Sequence, residues 1–165
     1  MRHRLSLAAL LLALVAGLLN AAPALAEATP LRILVRADDA KFIGSGVGGL
    51  HATVRDAESG AVLGSGLIEG GTGDTAALMN EPELRGDTAV TPDAASLALT
   101  LDIERPTRIE VAVSGPQSVP QGRQGLTTSL WLLPGQDRAA NPLVLHLNGL
   151  LVDLVVLARE EDELS

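Results

Sequence analysis

An all-β fold, an antiparallel β-sandwich of about seven to nine strands, is the class this sequence predicts, and three observations predict it. Apolar residues recur with period two through most of residues 31–157, the pattern of strands that rest one face on a core. Clusters of Gly, Pro, Asn and Asp separate those stretches at short intervals, as sheet connections require. No amphipathic helix of credible length interrupts them.

Ahead of the first strand, residues 1–26 read as a secretory signal. Arg2, His3 and Arg4 give a basic start, Leu5–Leu19 is apolar and free of charge, and Ala24-Leu25-Ala26 places small residues where a signal peptidase reads them. The run is shorter than the roughly 20 residues of a spanning helix, which sets an uncleaved anchor behind cleavage as the reading. No Cys follows it, which excludes lipid attachment there. Cleavage after Ala26 leaves Glu27–Ser165, 139 residues, expected to form one domain over 27–158 and an acidic tail over 159–165.

The strands follow in order. Leu31, Ile33, Val35 and Ala37 share one face and Arg32 and Arg36 the other. Leu50, Ala52 and Val54 alternate with His51, Thr53 and Arg55, and residues 61–68 return after Asp56-Ala57-Glu58-Ser59-Gly60, a turn suited to a short hairpin with a bulge. The irregular stretch Met79–Ala95, with Pro82, Gly86 and Pro92, is expected to cross between sheets. Leu97, Leu99, Leu101 and Ile103 alternate with Ala98, Thr100, Asp102 and Glu104, and Ile109, Val111 and Val113 with Arg108, Glu110 and Ala112. Strands over 127–133, 143–147 and 150–157 complete the set, the last two joined by Asn148-Gly149, whose central positions favour positive φ.

Composition excludes several function classes. Removing Arg2 and Arg4 with the signal leaves ten basic residues against 20 acidic, a net charge of −10. Such a surface repels nucleic acid and anionic membrane. Eleven Arg against the single Lys41 point to a GC-rich coding bias, which with the signal suggests a bacterial periplasm. The absence of Cys means that packing alone holds the exported domain. Phe42 and Trp131 are the only aromatics, too few for an aromatic recognition platform.

Val54, Asp56, Ser59 and Gly60, within the stretch 50–69, resemble the opening hairpin of transthyretin-like and carboxypeptidase-regulatory-like sandwich modules. The resemblance covers about a seventh of the chain. It implies an immunoglobulin-like or prealbumin-like sandwich with an accessory or binding role, and it implies no catalytic activity.

Candidate chemistry is sparse. Gly44-Ser45-Gly46-Val47-Gly48-Gly49 spells a dinucleotide fingerprint, but a strand follows it where the pyrophosphate needs a helix N-terminus. It reads as a flexible inter-strand loop. In Gly70-Gly71-Thr72-Gly73-Asp74-Thr75 the first expectation is a turn with Asp74 bonding its own backbone, the second a ligand loop built on Thr72, Asp74 and Thr75. His51 lies on an outward face, and hairpin register makes His146 and Asp153 diagonal neighbours, a weak metal alternative that lacks a third ligand. There is no G-x-S-x-G elbow and no Cys nucleophile, so neither an enzyme nor a cofactor is expected.

The last hairpin departs from the alternation. Leu143, Leu145, Leu147, Leu150, Val152 and Leu154 form an inner face, yet the other face also carries Val144, Leu151, Val155 and Leu157. Either the hairpin is covered on both sides, or these residues with Trp131 form a surface for a protein partner or a second copy. The sequence therefore predicts an exported, non-catalytic protein-binding or accessory module, with a periplasmic small-ligand or metal-ion carrier as the alternative. Replacing Gly149 with Val is expected to lower stability by about 1–3 kcal/mol, since a β-branched residue resists positive φ. A chemical denaturation curve measures it.

Overall fold

The computed structural model describes residues 26–38, 40–80 and 90–147. The proposed signal before Ala26, the Asn148-Gly149 turn, the expected strand 150–157 and the acidic tail 159–165 lie outside the described residues. Among the described residues seven strands form: β1 (Glu27–Ala37), β2 (Leu50–Asp56), β3 (Val62–Ile68), β4 (Leu97–Ile103), β5 (Thr107–Gly115), β6 (Gln124–Leu132) and β7 (Arg138–Leu147). Most fall on stretches where apolar residues alternate, β1, β2, β4 and β5 most plainly. A short helix, α1 (Thr75–Met79), stands between β3 and β4.

The strands divide into a three-stranded sheet, β4-β1-β7, and a four-stranded sheet, β3-β2-β5-β6. One core lies between them. Leu31, Ile33, Val35, Leu101, Ile103, Leu145 and Leu147 meet Leu50, Ala52, Val54, Ile109, Val111, Val113 and Leu132. The stretch between β3 and β4 leaves one sheet and enters the other, as expected of residues 79–95. The partition departs from the immunoglobulin arrangement, in which the first, second, fifth and fourth strands share a sheet. Here the second and fifth pair with the third and sixth.

Two expectations need correction. The sheets are not wholly antiparallel, because β1 and β7 run parallel. The antiparallel edge of β1 is taken by β4. At the start of β1, buried Thr29 accepts the Gly135 N–H at 3.0 Å, so β7 sets off from the end where β1 begins and must run with it. β7 also begins earlier than alternation suggests, at Arg138. Its pairing shifts between Leu31↔Arg138 and Ile33↔Leu143, and that irregular stretch contains Pro142, which donates no ladder hydrogen bond.

The second correction concerns β1, which is not half-buried. Ile33, Leu34 and Val35 are fully buried and Arg36 is 8 % exposed. The connection between β3 and β4 covers the outer face of its sheet, where Leu34, Phe42, Leu78 and Ala94 form a second cluster with Val90 and Val144 against it. Arg36 is accommodated by donating from Nε to the Ala40 carbonyl at 2.7 Å and from a terminal nitrogen to the Leu78 carbonyl at 3.2 Å. Buried polar groups need such partners.

Along the β3–β4 edge the sheets close over glycine. A Cβ on Gly66 would lie 2.7 Å from a Leu97 methyl, and one on Gly64 would lie 3.1 Å from a Leu99 methyl. The leucines of β4 thus fill the volume that β3 leaves free. The hairpin between β2 and β3 is tied by Asp56, whose Oδ1 accepts the N–H groups of Glu58 and Ser59 at 2.8 Å each. Gly60 closes it at φ 74°, and the pairing bulges between Val54 and Arg55. Those backbone donors, chiefly Ser59 and then Glu58, hold the Asp56 carboxyl below its ordinary range.

Two outcomes are expected. Gly66→Val should cost about 1–3 kcal/mol by overpacking, while Ser65→Val on the outer face should stay within about 0.5 kcal/mol; paired urea titrations separate them. For Asp56, a lowered folded pKa means its contribution is complete above the unfolded value near 3.8 and lost as pH falls through the folded value. Asp56→Asn should therefore melt lower than the parent at neutral pH, with the gap closing in acid, as thermal melts across pH would record.

Candidate functional site

At the end of the sandwich where β1, β5 and β7 finish and β6 begins, the sheets part around a cleft of about 690 Å³. Asp38 and residues 40–47 lie over it. Ala37, Ala40, Phe42, Ile43, Val47, Pro116 and Leu147 supply carbon to its wall, Gly44, Gly46 and Gly115 supply backbone, and Asp38, Lys41, Thr72 and Gln124 supply the polar groups. The size and the apolar wall with few polar atoms match those of small-molecule sites.

The covering segment is fixed at several points. Ile43 N–H donates to Val35 C=O at 2.9 Å, Asp38 N–H to Leu147 C=O at 3.1 Å, and Phe42 N–H to Thr72 C=O at 3.3 Å. From beneath, Arg36 holds the Ala40 carbonyl. The loop 44–49 was expected to be flexible, but it is pinned. Ser45–Val47 forms a 3₁₀ turn, Ser45 exchanges bonds with the backbone of Gly70, and the Gln117 and Ser118 N–H groups reach Gly49 and Val47 carbonyls at 3.1 Å each. A Cβ on Gly44 would lie 2.4 Å from the Gly70 oxygen, so the two glycine-rich loops pack backbone to backbone.

The expected ligand loop is divided among three roles. Asp74 caps α1, its Oδ1 accepting from Ala76 N–H at 2.7 Å and Ala77 N–H at 3.3 Å. That is the self-bonding turn read from the sequence, realised as a helix N-cap. Thr72 lines the cleft. The Thr75 hydroxyl accepts a hydrogen bond from Lys41 Nζ, which ties the cleft's lysine to the loop.

The histidines lie on different sheets. His51 is exposed on β2 of the four-stranded sheet, opposite Ser114 and Leu67. His146 is on β7, where its Nδ1 is 3.2 Å from Asp38 Oδ1 at the rim of the cleft. Asp153, its expected neighbour, lies outside the described residues. Among the described residues no three His, Cys, Asp or Glu side chains are grouped to hold a metal ion.

The proposed partner surface is not assembled as one patch. Val144 is half-buried in the cluster on the outer side of the three-stranded sheet. Trp131 is 56 % exposed on the outer side of the other sheet, opposite Arg108, so the two face away from each other. Leu151, Val155 and Leu157 lie outside the described residues. The other exposed large apolar residues, Val62, Leu67 and Leu133, stand at the two margins of the four-stranded sheet. Three inter-strand spacings of about 4.8 Å divide β3 from β6, and polar residues of β2 and β5 fill the interval.

Lys41, Phe42, Ile43, Pro116 and Gln124 were not singled out by sequence reasoning. The available cue was that the only lysine and the only phenylalanine are adjacent, in a segment that fits no strand. No family model, curated protein or solved structure matches the chain.

Proposed function

We propose that this protein is an exported, non-catalytic carrier that holds a small apolar molecule in the cleft at one end of a prealbumin-like sandwich. The cleft carries this reading: a largely carbon-lined opening of about 690 Å³ between two sheets, where a ligand gains by leaving water. The prealbumin-like assignment draws on the β2–β3 hairpin with its Val54, Asp56, Ser59 and Gly60, and on a strand partition unlike the immunoglobulin one. Export draws on the basic, apolar and small-residue pattern of residues 1–26. The module for a protein partner has weaker support, because the exposed apolar residues are spread over both margins of one sheet and Val144 is covered from the same chain. The metal-ion version of the carrier would need ligands beyond His51 and His146, which lie on different sheets.

A neutral environment-sensitive dye, 1-N-phenylnaphthylamine, tests the reading on the mature chain. Its emission should rise and saturate at one dye per chain. Gly46 lines the cleft, and a Cβ there meets nothing within 4 Å. Gly46→Phe should therefore fold normally, fill the space and weaken dye binding by about tenfold, or 1.4 kcal/mol. No saturable binding by the parent, or equal binding by a folded Gly46→Phe, would overturn the assignment.

A further inference from the structure

Resting on the cleft as a ligand site, the geometry points to an anionic amphiphile as the molecule it takes: an aliphatic chain ending in a carboxylate, with the carboxylate on Lys41. Phe42, Ile43, Val47, Pro116 and Leu147 provide an apolar wall for the chain, and Thr72 and Gln124 are the neutral polar side chains beside it. Lys41 is the only cationic side chain in that wall. Its ammonium carries three donors. One is given to the Thr75 hydroxyl, a neutral acceptor that holds the group in place. Among the described residues no carboxylate pairs with it.

The other charged residue of the wall, Asp38, is occupied differently. Its carboxylate sits 3.2 Å from the His146 ring at the rim and so has a partner of its own. The contrast with the chain as a whole matters here. The protein carries a net charge of −8 with His neutral, which disfavours anions over most of the surface. Lys41, in the wall of an otherwise apolar cleft, is the local exception. A carboxylate whose chain lies against that wall would meet the ammonium at the exposed margin where Thr75 holds it.

Competition against 1-N-phenylnaphthylamine with decanoate, 1-decanol and decyltrimethylammonium, each below its micelle concentration, separates head from tail. Decanoate should displace the dye at a concentration about tenfold below either of the others. Lys41→Met should abolish that preference while the dye still binds, and Lys41→Arg should keep most of it. Equal displacement by all three ligands, a preference for the cation, or an undiminished decanoate preference in folded Lys41→Met would overturn the carboxylate assignment. In each of those cases Gly46-dependent dye binding leaves the cleft itself standing, whereas failure of the dye to bind removes both readings. If Lys41→Met fails to fold, loss of the preference in Lys41→Gln supports the assignment and its retention overturns it.

Discussion

β1 is hydrogen-bonded along both edges, antiparallel to β4 and parallel to β7, and closed on both faces. Inward, Leu31, Ile33 and Val35 join the main core; outward, Leu34 joins the second cluster under the β3–β4 connection. A strand enclosed in this way cannot slip, because a one-residue shift would put Arg32 and Arg36 into the core. Its position then fixes its neighbours. Thr29 at one end receives Gly135 and so sets where β7 starts. Arg36 near the other end holds the Ala40 and Leu78 carbonyls, which ties the segment over the cleft to α1. Removing the Arg36 guanidinium would leave two carbonyls to find other donors and loosen both segments together.

Most of the strand positions were legible, and the reason is physical. Where one face meets a core and the other meets water, as in Ile109–Val113 against Arg108, Glu110 and Ala112, composition records the pleat directly. The signal fails where both faces are covered. Leu34 reads as an interruption of the polar face of β1, and the sequence does not say that Phe42 and Leu78 will cover it. Strand direction is also silent, since alternation looks the same in parallel and antiparallel pairs; the Gly135–Thr29 contact, which marks the end from which β7 sets off, joins residues far apart in sequence. Local chemistry fared better. The Asp56 turn and the self-bonding of Asp74 depend on residues two or three apart, which are adjacent in sequence as well as in space.

The cleft was illegible for the opposite reason. Lys41, Pro116, Gln124 and Leu147 come from separated parts of the chain and share no spacing. Each is unremarkable alone. Thr72 and Thr75 were singled out for their glycine-rich surroundings, which correctly marked close backbone approach. The thing approached, however, is the protein itself: Gly44 lies against Gly70, and Gly71 bonds to both Asp93 and Ala95. Glycine records that something comes near the backbone without recording what.

Connection length explains why space remains at this end of the sandwich. Stacked sheets lie about 10 Å apart, a gap that about three extended residues span. The crossing from β4 to β5 uses three, Glu104, Arg105 and Pro106, and closes the opposite end. The crossing from β1 to β2 uses twelve, residues 38–49. Nine or so are therefore surplus to the span. They fold into the bridge at Phe42 and the 3₁₀ turn at Ser45–Val47, stitched to Val35, Gly70 and Ser118. That surplus is held as a fixed cover while the strand ends beneath it stay apart. A crossing kept this long, pinned this often and carrying the chain's one lysine over an apolar opening exceeds what joining two strands requires, and the excess is what forms the site.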